Sequence, residues 1–165
     1  MMKKTIASLL GLLMTFSVSQ PVFAAEPDAP GSKMITIQAG GLPGFGGILS
    51  AQLAMANVGN GHLYGGLQFG GNLRHGKATD TQKIDLSLAP RVTLGWNLGR
   101  VVEIHAGALG GVAAQRFDDL KTQLAFCYGG LGGLRLNLSE SMGIVLEGCY
   151  SNCLPYATGG IAIRF

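Results

Sequence analysis

Glu103 and His105 stand two residues apart, a spacing that puts a carboxylate and an imidazole on one face of an extended strand, where together they can move a proton. His62 and His75 have no nucleophile and carboxylate placed to complete a catalytic set with them. Gly71-Asn72-Leu73-Arg74-His75-Gly76-Lys77 follows the spacing of a phosphate-cradling loop as far as its lysine, but Ala78 stands where a magnesium-binding hydroxyl is required. Cys127, Cys149 and Cys153 have no metal-ligand spacing, and their odd number leaves at least one outside any intrachain disulfide. These residues imply neither a cofactor nor a metal.

The elements that carry them begin after an export signal. Lys3 and Lys4 precede an apolar stretch from Ile6 to about Val18 and the small residues Ala24 and Ala25, so residues 1–24 read as a cleaved signal peptide. Residues 25–32, with Pro27 and Pro30, read as a flexible lead-in, and 33–165 as a single domain. Without Lys3 and Lys4, ten basic residues face nine acidic ones, which excludes a basic surface for nucleic acid. Of 165 residues 27 are glycine, 47% are hydrophobic and 13% charged, a composition that excludes a helical bundle and a disordered chain.

Period-two alternation then runs through the domain. Apolar residues recur in Ile35–Gly40, Leu49–Met55, Leu63–Asn72, Ile84–Asn97, Val102–Gln115, Gln123–Leu138, Met142–Glu147 and Thr158–Phe165, giving eight strands. Tight turns at Asn57–Gly61, Asn97–Arg100 and Ser139–Ser141 alternate with connections at Gly41–Gly47, Leu73–Lys83, Ala114–Lys121 and Ser151–Pro155. Short turns on one rim and longer loops on the other predict an all-β, eight-stranded, antiparallel, up-and-down transmembrane β-barrel. Pro90 interrupts the fourth strand, where a bulge is expected.

Charge decides which face points inward. Asp85, Arg91, Glu103, Arg135, Glu147 and Arg164 all fall opposite the leucine-rich face, three of each sign, as a balanced network in a closed lumen requires. His105 shares that face as a hydrogen-bonded lumen histidine. Cys127, Cys149 and Cys153 share it too. A turn near Glu140 sets residues summing to about 280 face to face, favouring a Cys127–Cys153 disulfide, with Cys149–Cys153 as the alternative. On the outer face Phe69, Phe126, Tyr128 and Tyr150 are expected toward the loop rim, and Trp96 and Phe165 toward the turn rim.

The last strand, Gly159-Gly160-Ile161-Ala162-Ile163-Arg164, ends the chain in Phe165. In this the sequence resembles the small outer-membrane barrels, the OmpA/OmpX-like or opacity-like proteins, and the likeness in pattern covers nearly the whole of the mature chain. The resemblance implies that Phe165 is the signal read by the barrel assembly machinery. It also implies a monomer in outer-membrane lipid of a Gram-negative bacterium, with a role in envelope integrity or adhesion. Lipid A deacylases are eight-stranded barrels as well, but their histidine–serine pair is not seen near Tyr150-Ser151-Asn152, so the reading is not an enzyme. A lipid-modifying enzyme and a narrow pore are the alternatives. Arg74, His75, Lys77, Asp80 and Lys83 in one outer loop, with Arg116, Asp118, Asp119 and Lys121 in another, are the expected surface for a ligand whose identity the sequence leaves open.

Overall fold

The computed structural model describes residues 30–42, 44–75, 82–99, 101–117 and 122–165. Its strands are β1 (Lys33–Gly41), β2 (Phe45–Val58), β3 (Gly61–His75), β4 (Gln82–Leu98), β5 (Val102–Phe117), β6 (Gln123–Asn137), β7 (Met142–Ser151) and β8 (Ala157–Arg164). Each pairs antiparallel with the next, and β8 returns to β1, so the barrel closes and no strand edge is left unpaired. The alternation in the sequence explains why these segments form a wall with two unlike faces. In β4 every second residue from Asp85 to Thr93 is buried, while Leu86, Leu88, Pro90 and Val92 between them are exposed on the outside.

The strands run further than the sequence pattern indicates. Ladder pairing carries β3 to His75 and starts β4 at Gln82, with Arg74 opposite Lys83, and β5 reaches Phe117. The Gly41–Gly47 connection contracts to residues 42–44, where Leu42 and Gly44 take left-handed backbone at φ 68° and 118°. The wall is therefore uneven: β3 to β6 have 15 to 17 residues, whereas β7, β8 and β1 have 10, 8 and 9. The low side is where the chain between β7 and β8 folds inward.

Pro90 produces no bulge, contrary to expectation. Leu88 stands opposite Val112 and Arg91 opposite Leu109, so the missing donor interrupts the β4–β5 ladder for two residues and leaves the register untouched. The bulge lies in β2, where Ala54 pairs with Tyr64 but Ala56 pairs with Leu63, leaving Met55 as the extra residue near the turn rim.

Candidate functional site in the lumen

All six expected lumen charges point inward and are buried, but they do not form one network. The central unit joins β4, β5 and β7. Arg91 donates through Nη1 and Nη2 to the two carboxylate oxygens of Glu147 at 3.1 and 2.6 Å, and through Nη1 to Gln68 Oε1 at 2.9 Å. His105 Nε2 reaches Glu147 Oε2 at 3.2 Å, so the histidine is paired with Glu147 and not with its sequence neighbour Glu103. A glycine makes this contact geometrically possible. Gly133 stands between His105 and Glu147 in the ladder, and a Cβ there would lie 3.0 Å from both His105 Nε2 and Glu147 Cα.

The second unit lies nearer the turn rim. Arg135 is the ladder partner of Glu103, and its Nη1 lies 2.7 Å from each carboxylate oxygen. Tyr64 lies beneath the Arg135 guanidinium at 5.4 Å, and its hydroxyl donates to Glu103 Oε2 at 3.4 Å. Arg164 donates to Asn137 Oδ1 at 2.7 Å and stands 3.6 Å from Glu103. Below it His62, at the start of β3, bridges Asn57 and Asn97. Around the β1–β2 side the lumen is closed by neutral groups, Thr36 on Ser50 at 2.7 Å and Thr93 on Gln52 at 2.9 Å.

Asp85 is separate from both units. It lies at the loop-side end, 3.6 Å from Arg74 Nε and 3.2 Å from Lys83 Nζ. This corrects two expectations. Arg74 and Lys83 are residues of the wall, not of an outer recognition loop, because the β3–β4 ladder extends past them and period two turns both inward. The three-against-three balance also fails: among the described residues five basic side chains, those of Arg74, Lys83, Arg91, Arg135 and Arg164, accompany the three carboxylates. His75 belongs to β3, and Arg116 to β5, where it is exposed on the outer face. Lys77, Asp80, Asp118, Asp119 and Lys121 lie outside the described residues, as does the segment 1–24.

Between Asp85 and the Arg91–Glu147 pair the lumen changes character. Ile48, Ala89, Leu109, Ala113, Leu131 and Cys149 form an apolar layer together with Cys127, Cys153 and Leu154. Cys127 and Cys153 form the disulfide, with Cα atoms 5.8 Å apart, while Cys149 stays a buried free thiol, so the alternative Cys149–Cys153 pair is not made. Ser151–Pro155, expected as an outer loop, turns into the lumen, where Leu154 is fully buried. Tyr64, Gln68 and Leu154 carry no chemical motif of their own in the sequence. Parity alone places the first two on the polar face, and the only local signal for the third is the cysteine beside it.

The outer face is apolar across the middle of the wall, with charged residues such as Lys33 and Arg116 exposed toward its two rims. Leu49, Leu67, Phe69, Leu88, Val92 and Leu146 are about half exposed, and Phe126, Tyr128, Tyr150, Trp96 and Phe165 stand outward as expected, joined by Phe45 and Tyr156. Tyr150 and Tyr156 stack at 6.2 Å near the loop rim. No protein-family model matches this chain, and no curated protein matches it in sequence. Solved structures do match in shape. The crystal structure of Neisserial surface protein A, NspA, aligns over 81% of this chain and 94% of its own at 14% identity, with a TM-score of 0.58. A de novo designed transmembrane β-barrel aligns over 85% and 100% at 13% identity, with a TM-score of 0.53. The outer membrane protein Ail of Yersinia pestis, in a phospholipid bilayer nanodisc, aligns over 84% and 100% at 15% identity, with a TM-score of 0.50. The chain has the fold of the small eight-stranded transmembrane β-barrels. That fold gives the half-exposed leucines an environment, since such a barrel presents its apolar band to lipid and keeps polar groups inside.

Proposed function

We propose that the protein is an integral outer-membrane barrel of a Gram-negative envelope, exported through a cleaved signal at residues 1–24, monomeric and without enzymatic activity. Its role is envelope integrity and surface contact through the loop-side rim. The observation that carries this reading is the inversion of faces: buried ion pairs fill the interior while leucines, valines and aromatics cover the exterior. In water such an exterior would aggregate. The fold shared with Ail, an outer membrane protein, supports the same placement. Among the described residues the lumen is crossed by the Arg91–Glu147 pair, which favours a solid barrel over a pore.

We propose that Phe165, exposed on the outer face next to β8, is read by the barrel assembly machinery. Fractionation of expressing cells should recover the protein in outer membranes, with gel mobility that changes on boiling; recovery in the soluble periplasm overturns the proposal. Deleting Phe165 should lower assembled yield more than removing residues 25–32. Exchanging 76–81 and 118–121 for short Gly-Ser turns should leave the barrel folded and remove binding to cell surfaces. Surface binding that survives this exchange would move the contact to the wall or lumen. Unchanged lipid A masses in expressing cells, and no conductance in planar bilayers, are the outcomes expected against the enzyme and pore readings.

A further inference from the structure

Residues 153–155 occupy the barrel without belonging to its wall. The ladder from β1 to β8 closes without them, so the sheet does not require them to stay in place. They cross the lumen mouth from the β6–β7 side to the opposite wall, and that wall is shaped to receive them. A Cβ at Gly70 of β3 would collide with Leu154 Cδ2, and one at Gly46 of β2 would stand 2.7 Å from Pro155 Cγ. Beneath lie Ile48, Ala89, Leu109, Ala113, Leu131 and Cys149, floored by the Arg91–Glu147 pair. The space has mainly apolar walls, with the Ser87 hydroxyl, which donates to the Gly70 carbonyl, as the polar group beside Leu154; it has a closed floor and one occupant, which is the chain itself.

That occupant is held by the packing of the buried Leu154 and Pro155, by a local bond from the Cys153 amide to Ser151 Oγ at 3.2 Å, and by a small set of ties to the wall. The Cys127–Cys153 disulfide is the covalent one. Arg74 Nη2 donates to the Leu154 carbonyl at 3.3 Å, and the Tyr156 amide donates to the Leu42 carbonyl at 2.8 Å. Asn152 is tied to the rim of β6 through Nδ2 on the Phe126 carbonyl at 2.8 Å, so Asn152 and Tyr156 stand as the two posts between which the segment hangs.

We propose that residues 153–155 are a lid latched by the Cys127–Cys153 disulfide, and that reducing the latch with a dithiol opens the chamber beneath as a site for a small apolar molecule. Both cysteines are buried, so attack follows a transient loosening of the rim: one thiolate of the dithiol then reaches Cys153 Sγ, the S–S bond breaks, and Cys127 leaves as a thiolate that takes up a proton. The second thiol of the reagent then displaces Cys153 from the mixed disulfide, releasing Cys153 as a thiol and the reagent as its own cyclic disulfide. Two electrons and two protons pass to the protein. With Leu154 and Pro155 withdrawn, water in an apolar chamber has few partners, so an apolar guest about the size of those two side chains is favoured over water. The closed floor makes this a dead-end pocket and not a channel.

Cys149 reports from inside the chamber. In the oxidised full-length barrel, reconstituted in liposomes, N-ethylmaleimide should modify Cys149 slowly. After dithiol reduction, peptide mapping should show Cys149 modified at least about tenfold faster while the unboiled protein keeps its folded mobility. With each reagent normalised to its rate on unfolded protein, a sulfonate-bearing thiol reagent should lag behind N-ethylmaleimide, and saturating toluene should slow the latter. Equal Cys149 rates before and after reduction overturn the lid. Equal rates for the charged and apolar reagents, or no effect of toluene, overturn the apolar site. If reduction shifts the barrel to its boiled mobility, Leu154→Gly carries the test, since it empties the chamber with the disulfide intact; an unreactive Cys149 there overturns the proposal.

Discussion

The two halves of the lumen are built from the same strands and the same inward parity, two residues apart. On β3 Gln68 gives way to Gly70, on β4 Arg91 to Ala89, and on β7 Glu147 to Cys149 as one moves from the turn side toward the loop side. The turn-side half is held by directional pairs, Arg91 with Glu147 and Arg135 with Glu103, each fully desolvated. In the loop-side half, between the Arg91–Glu147 pair and the Asp85 ion pairs at the rim, the filling is held by shape and by one covalent cross-link, with Leu154 seated against a wall that lacks a side chain at Gly70. The difference teaches that an inward position in a narrow barrel can be filled in two ways. A charge needs its partner at a particular height and angle, whereas an apolar residue needs only volume.

The two kinds of filling should fail differently. Glu147→Ala removes the partner of both Arg91 and His105 and leaves a buried guanidinium with Gln68, so stability should fall by about 3 to 5 kcal/mol. Urea titration of the reconstituted barrel measures this, and a loss below 1 kcal/mol would mean that water reaches Arg91. In the loop-side half Leu154→Ala should cost about 2 to 3 kcal/mol, the usual range for an apolar truncation that leaves a cavity. No loss would show that residues 153–155 are not packed in solution. Tyr64→Phe keeps the ring under Arg135 and removes only the hydroxyl that donates to Glu103, so its cost should stay near 1 kcal/mol or lower.

The sharpest comparison has the smallest expected effect. In a His105→Leu background, where no imidazole is left without Glu147, replacing Arg91 by Met and Glu147 by Leu together extends the apolar filling one layer toward the turn rim, and stability should change by less than about 1 kcal/mol or rise. Parity between this double variant and Glu147→Ala in the same background would show that the pair itself, and not the cost of stranding one member, stabilises the central layer.

Much of the barrel was legible in the residues. Alternation placed Asp85, Arg91, Glu103, Arg135, Glu147 and Arg164 on one face, and a turn near Glu140 set the β6–β7 register that brings Cys127 to Cys153, because both follow from spacing along a chain or across one hairpin. Pro90 lacks a ladder donor, which in the sequence alone implies a register shift, but a closed barrel with long ladders on both sides of β4 holds the register through it. The alternation at Arg74 and Lys83 was hidden by a polar, glycine-bearing stretch that reads as loop, and only pairing with the neighbouring strand extends it.

The sequence by itself therefore determined the strands, the inward face and the partners across a single turn, since period two and hairpin register are local properties. The tertiary structure decided everything that depends on closing the barrel. Arg91 meets Glu147 three strands away, Asp85 is left to Arg74 and Lys83, and Leu154 crosses the lumen to a space opened by Gly70 on the far wall. The physical reason is that height inside a closed barrel is set by the tilt and stagger of all eight strands together, and no single strand's spacing records it.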